Sequence, residues 1–221
     1  MESIIKKYVD YAKDNLGSNL VAIIFTGSRV QGGALPHSDY DLKIIVKDIN
    51  KRLEFDMEKN ERYGIQAFSM SLDDFNHCLK SGYTPTCNSF NLLDFRKAEF
   101  LYGEKIKKKI PEINEILKRD LKSELIKIIE KDLKDVLVYK NSRAQIAVIL
   151  TIPNLLLRAK GIFVTKERYV EELKNNYDLP QEAVEIIEKA LIARKNPNET
   201  KDFEKEADTL MKITKECLQN N

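Results

Sequence analysis

Cysteine is scarce in this chain, and so is any imbalance of charge. Cys78, Cys87 and Cys217 form an odd set without metal-ligand spacing, which argues against a disulfide framework and fits a reducing cytoplasm. The 37 Lys and Arg residues against 35 Asp and Glu leave a formal net charge of +2. Whole-molecule charge therefore announces neither a nucleic-acid nor a membrane partner. No uninterrupted apolar run reaches the roughly 18 residues of a membrane span, and the amphipathic first helix has no apolar h-region; the expectation is a cytoplasmic protein with no membrane partner. Internal repeats and low-complexity tracts are also missing. What is present is 221 residues, 43% hydrophobic and 33% charged, enough for one large or two small domains with real cores.

Hydrophobic spacing divides the chain in two. Ile4, Ile5, Tyr8, Val9, Ala12 and Leu16 make one helical stripe that ends at Gly17. Leu20 to Thr26, Asp41 to Val46 and Ile65 to Met70 read as strands, residues 53 to 62 as a short helix, and Ser71-Leu72-Asp73-Asp74 as a capping box opening a helix to Lys80. The loop from Ser81 to Asn91 reads as irregular. Beyond about residue 110 helical period takes over, with one stripe through Leu121, Leu125, Ile128, Ile129, Leu133 and Val136 and another through Phe203, Ala207, Leu210, Met211 and Leu218. Ile146 to Leu157 is apolar nearly all round, the mark of a buried helix that Pro153 should bend, and Pro180 opens a further helix. The expected architecture is a mixed α/β (α+β) domain over 1–110 followed by an all-α bundle over 111–221.

The stretch from Phe25 to Val46 carries the chemistry. A strand ending in Gly27-Ser28 and turning into a helix presents backbone N–H groups and a hydroxyl to an anion, and Gly27 permits close approach. Asp39 and Asp41, spaced i, i+2 at the mouth of the next strand, share a face. Facing the cradle, they suit Mg²⁺, which prefers one or two carboxylates plus substrate phosphates and water. One or two such ions could serve an in-line displacement at phosphorus, which is nucleotidyl transfer.

Gly27-Ser28-Arg29, Gly32, Pro36 and Ser38-Asp39-Tyr40-Asp41-Leu42 resemble the signature of the DNA polymerase beta-like nucleotidyltransferase superfamily, which includes the minimal and aminoglycoside nucleotidyltransferases. The resemblance covers about twenty residues. It implies a mixed sheet flanked by helices, an NTP (most plausibly ATP) held at Gly27, Ser28, Arg29 and Ser38, and Asp39 and Asp41 as catalytic metal ligands. More loosely, Leu155 to Arg158, Gly161, Lys166, Leu179-Pro180 and Ala190 resemble the helical C-terminal domain of the aminoglycoside adenylyltransferases. The expected reaction moves AMP from ATP to an acceptor hydroxyl with release of pyrophosphate, the acceptor being a small molecule such as an aminoglycoside and the helical domain binding it. A nucleotide-binding regulatory or antitoxin-type module, and an RNA- or protein-modifying transferase, are the alternatives. Nucleic acid is not favoured, and homodimerisation stays open.

One departure from the superfamily pattern concerns the next strand, where a third carboxylate is usual. Here that position is Gln66 or Phe68, and neither ionises. A base from Asp73, Asp74, Asp94 or Glu99, one from Glu124, or an absence of catalysis are all open. Around the core motif, Arg29 reads equally well as a surface arginine, Lys43 as an ordinary edge-strand lysine, the run Lys105 to Lys109 as a solvated face, and Tyr83, Phe90 and Phe95 as loop anchors instead of base-stacking rings.

Overall fold

A computed structural model describes residues 3–51, 64–84, 86–138, 140–196 and 198–220. The short helix expected over 53–62 lies outside them. Two compact units result, Met1–Arg119 and Asp120–Asn221.

In the first unit, helix α1 (Ser3–Leu16) leads into β1 (Leu20–Thr26), the short helix α2 (Gly27–Gln31) and β2 (Tyr40–Val46). Then come β3 (Ile65–Ser71), α3 (Leu72–Ser81), α4 (Ser89–Lys97), β4 (Glu99–Tyr102) and the single turn α5 (Ile113–Ile116). The strands order as β3-β2-β1-β4. β1 is antiparallel to β2 and β4, whereas β2 and β3 are parallel. The sheet is therefore mixed, as expected, and the motif strands β1 and β2 are its two central members.

Strand alternation sorts the side chains. Leu42, Ile44 and Val46 join Ile23, Phe25 and the α1 stripe of Ile5, Tyr8, Val9, Ala12 and Leu16 in one core. The opposite face carries Thr26, Ile24 and Ala22 beside Asp41, Lys43 and Ile45, and beside those Gln66, Phe68 and Met70. α3 packs on β2 and α4 on β1. Ser71 Oγ accepts the N–H of Asp74 at 2.9 Å, the N-cap that the sequence announces for α3.

Two elements of this unit escape hydrophobic periodicity. Within α4, Phe90, Leu92, Leu93 and Phe95 are all buried, so the helix shows no stripe. It is set instead by Asn88 and Asn91, whose side chains each accept the other's backbone N–H at 3.0 Å. β4 is only four residues long and gains its place from pairing with β1. Phe90 and Phe95 are core residues, the loop-anchoring reading of these rings.

Residues 111–119 go with the first unit because Arg119 ties them to it. Its guanidinium donates to the carbonyls of Cys78 at 2.9 Å and Leu79 at 2.6 Å, near the C-terminus of α3, and to Ser89 Oγ at 3.2 Å. The division of the chain thus falls after Arg119.

In the second unit, α6 (Leu121–Lys127) continues through a π-helical turn (Ile128–Leu133) into α7 (Lys134–Leu137). The π turn inserts one residue, so the buried stripe ends on Leu137 where regular period predicts Val136. α8 (Ser142–Ala159) runs unbroken through Pro153 and packs against α7, α9 (Tyr169–Asn176), α10 (Gln181–Ala193) and α11 (Glu204–Asn220). It is the central helix its composition predicts. Gln145 on α8 fastens the start of α11, its Oε1 accepting the N–H of Phe203 at 2.8 Å and its Nε2 donating to Asp202 at 2.9 Å. Among the described residues no helix is long and apolar enough to cross a membrane.

Candidate active site

The site is built where β1 ends. Thr26 and Asp41 are register partners, and Thr26 Oγ1 donates to the Asp41 carbonyl at 3.3 Å. Immediately beyond, Gly27 takes φ +77°, a left-handed backbone that opens α2. A Cβ on Gly27 would collide with Asp41 Oδ2 and lie 2.7 Å from its Cγ and 2.9 Å from its Cβ. Glycine is required twice over here, by conformation and by the closeness of the carboxylate. The expected meeting of the Gly27-Ser28 turn with Asp41 is therefore a contact.

Asp39 precedes β2 by one residue, where Tyr40 N–H donates to the Gly64 carbonyl at 2.7 Å. Its Oδ1 lies 4.0 Å from the place a Gly64 Cβ would take, at the head of β3. The two aspartates thus flank the end of β2, Asp41 leaning to the β1 side and Asp39 to the β3 side. Both are half-buried.

Arg29 and Ser38 are used by the loop that joins α2 to β2. The Arg29 guanidinium donates to the Ser38 carbonyl from Nε at 3.0 Å and Nη2 at 2.7 Å, and stacks 4.1 Å from the centroid of Tyr40. Ser38 Oγ accepts the N–H of Leu35 at 2.8 Å. Tyr40 packs against the α1 core, on the face away from Asp41, so these bonds make Arg29 a strut behind the aspartates.

Lys43 does not lie on an edge strand: β2 is central, flanked by β1 and β3. Its ammonium sits 4.2 Å from the centroid of Phe68, its register partner on β3. Burial pulls its pKa below the ordinary lysine value, opposed by Asp41, Asp94 and Cys87, in that order. Asp94 lies on α4, and its charge, like that of Asp41, acts on this lysine. Sequence reading could place Lys43 on the Asp41 face by alternation. It could not place Asp94, because α4 carries no stripe.

Known proteins resemble this chain in part of its sequence and in its fold. No family profile matches the chain. Over 89 residues it is 29% identical to a "putative protein adenylyltransferase" of Methanocaldococcus jannaschii, covering 37% of this chain and 60% of that relative. The match spans less than two thirds of the relative's length. As a solved structure, the spectinomycin adenyltransferase AAD(9) from Enterococcus faecialis, crystallised with ATP and spectinomycin, is similar at a TM-score of 0.55 over 98% of each chain, with 16% identity. The chain has the adenyltransferase fold. A mixed four-stranded sheet with helices, followed by a helical C-terminal region, is the fold class its sequence implies.

Within this adenyltransferase fold the fate of the third carboxylate is explicit. Asp41 pairs in parallel register with Gln66 and Lys43 with Phe68. The neighbouring position beside Asp41 is thus an exposed amide, and the next is a ring that is 50% exposed. Of the nearby acids, Glu99 pairs opposite Phe25, whose side chain belongs to the α1 core. Asp74 accepts a hydrogen bond from Thr86 at 2.9 Å. Asp94 bears electrostatically on Lys43, and through it on the Asp41 face of the sheet. Among the described residues, no three or more His, Cys, Asp and Glu side chains are grouped to cage a metal ion. The donor set available is two carboxylates beside a glycine turn, which fits Mg²⁺ brought with a nucleotide better than a metal held by protein alone.

Proposed function

We propose that this chain is a nucleotidyltransferase that transfers AMP from ATP to an acceptor hydroxyl, releasing pyrophosphate. The observation that carries the reading is the Asp41 carboxylate closed on the Gly27 turn at the end of β1. The adenyltransferase fold and the resemblance of part of the chain to a named adenylyltransferase support it. In this reading the backbone N–H groups of the Gly27-Ser28 turn and the Ser28 hydroxyl hold the triphosphate. Asp39 and Asp41 hold Mg²⁺, which supplies charge neutralisation for the phosphates. Arg29 and Ser38 brace the intervening loop from behind, through the Ser38 carbonyl and the Tyr40 ring. Catalysis is then positioning plus electrostatics, as for phosphoryl transfer generally. Acceptor recognition is assigned to the helical unit, and the thiols Cys78, Cys87 and Cys217, none of them in a disulfide, fit a cytoplasmic enzyme.

Two acceptor classes belong in the assay, a protein and a small molecule such as spectinomycin. Asp39→Asn is expected to abolish metal-dependent transfer of radiolabelled AMP from ATP while leaving the circular dichroism spectrum unchanged. Full activity in that variant would remove the reading. Gln66 beside Asp41 favours a second reading, a nucleotide-binding module without turnover. Tight Mg-ATP binding with no pyrophosphate release on any acceptor would select it.

A further inference from the structure

We propose that the site at Asp39 and Asp41 takes one divalent ion per bound nucleotide, and that Gln66 is the residue that sets this count. The inference rests on the metal-binding reading of the two aspartates and adds a residue outside it. What a second ion would meet is fixed by the sheet. Asp41 is flanked by its register partners, Thr26 on β1 and Gln66 on β3, and neighbouring strands stand about 4.8 Å apart. Thr26 turns its hydroxyl to the Asp41 carbonyl at 3.3 Å. On the other side, Asp39 Oδ1 lies 4.0 Å from the place of a Cβ on Gly64, which has no side chain to offer. Along this face β3 then presents Gln66 and Phe68, so the strip beside the aspartates holds no acid, and Gln66 is exposed. Among the described residues no third acidic, histidine or cysteine side chain is grouped with Asp39 and Asp41.

Two divalent ions that serve one phosphoryl centre stand about 3.5–4 Å apart. Their repulsion is about four times that of two unit charges at the same distance, so the ligands that hold the pair together must be anionic. An amide oxygen can fill a place around an ion already held by carboxylates and phosphates, but it brings no charge to retain a second. The two aspartates and the nucleotide suffice for one. Gln66 also stands on the side of Asp41 away from the Gly27 turn. In-line displacement puts the attacking and leaving oxygens on opposite sides of phosphorus. With the triphosphate on the Gly27 turn, the acceptor enters on the β3 side and meets a neutral amide there.

The test is equilibrium dialysis of the full chain against Mn²⁺ and a non-hydrolysable ATP analogue, with bound metal and bound nucleotide both measured. The unaltered chain is expected to hold one Mn²⁺ per bound nucleotide. Gln66→Glu keeps the side-chain length and adds a carboxylate beside Asp41, and it is expected to hold two. Phe68→Glu, two positions further along the strand, is expected to stay at one. Gln66→Asp supplies a second acid at the same position, so a folding failure of one variant does not end the test. Two Mn²⁺ per nucleotide in the unaltered chain overturns the proposal. A ratio of one in both Gln66 variants, or a ratio of two in Phe68→Glu, also overturns it, and all three results leave the nucleotide site standing. A chain that takes up no nucleotide, or takes it up equally well as Asp39→Asn and Asp41→Asn, removes the metal reading and the count together.

Discussion

Gly27→Ala set beside Gly32→Ala separates the backbone's need for glycine from the site's. Both residues adopt left-handed φ, +77° at Gly27 and +82° at Gly32, and alanine in that region costs about 1–2 kcal/mol. The first unit runs from Met1 to Arg119. With an unfolding entropy of about 2.1 cal/mol/K per residue, that strain lowers its melting temperature by roughly 4–8 °C. At Gly32 nothing lies within 4 Å of the added Cβ, so strain is the whole effect. At Gly27 the methyl would collide with Asp41 Oδ2 and stand 2.7 Å from Asp41 Cγ and 2.9 Å from Asp41 Cβ, where carbon atoms settle at about 3.5–4.0 Å. The carboxylate must retreat by about 1 Å to reach that separation, and because Cβ is also too close, a rotamer change does not suffice and the β1 and β2 ends must part. Misplacement of that size costs on the order of 10²-fold in a positioned site. Both variants should therefore melt early, while isothermal titration with Mg-ATP finds near-normal affinity in Gly32→Ala and a large loss in Gly27→Ala. Equal affinity in the two would refute the placement of Asp41 against the turn.

Three further outcomes test the supports of the site and of the bundle. Arg29→Met removes two bonds to the Ser38 carbonyl and the stack on Tyr40; it should destabilise the first unit by about 1–3 kcal/mol in urea titration, with Mg-ATP affinity changed by less than about threefold. A large affinity loss at unchanged stability would instead place the guanidinium on phosphate. Arg119→Ala should expose residues 110–120 to limited proteolysis, because the carbonyls of Cys78 and Leu79 lose their donor, whereas Lys118→Ala should not. In the bundle, burial raises the Tyr177 pKa from 10.0 to about 12 while its hydroxyl donates to the Leu156 carbonyl at 2.6 Å. The unfolded tyrosine loses its proton first, so this contribution to stability is complete below about pH 10 and is lost between about pH 10 and pH 12. Tyr177→Phe should flatten that part of the melting-temperature curve, and an identical curve for the two proteins would count against the assignment.

Elements with one apolar face were legible from the chain alone. α1 presents Ile5, Tyr8, Val9, Ala12 and Leu16 to the sheet at helical spacing, and the fully covered strands β1 and β2 appear as nearly continuous apolar runs. α8 is apolar all round because other helices surround it. Legibility fails where tertiary contacts override local pattern. α4 buries residues on successive sides and is set by an asparagine pair; β4 has four residues and exists through β1; the π turn in the second unit shifts a correctly read stripe by one position. Each miss reflects a partner that lies far away in sequence or a local change of helical pitch.

The same distinction governs the site. Gly27 and Asp41 are 14 positions apart along the chain, yet an apolar strand on either side fixes their relation, so a local motif sufficed to place a glycine against a carboxylate. Arg29 belongs to the same motif, but its partners were decided by a property no motif records, the face of β2 on which Tyr40 lies. Asp94 is a harder case still. A carboxylate supplied from a helix has no fixed offset from the strand it serves, whereas one on β3 would stand in register with Asp41, at the position Gln66 fills. The parallel pairing of β2 and β3 therefore turns an ambiguity between Gln66 and Phe68 into a definite neighbour.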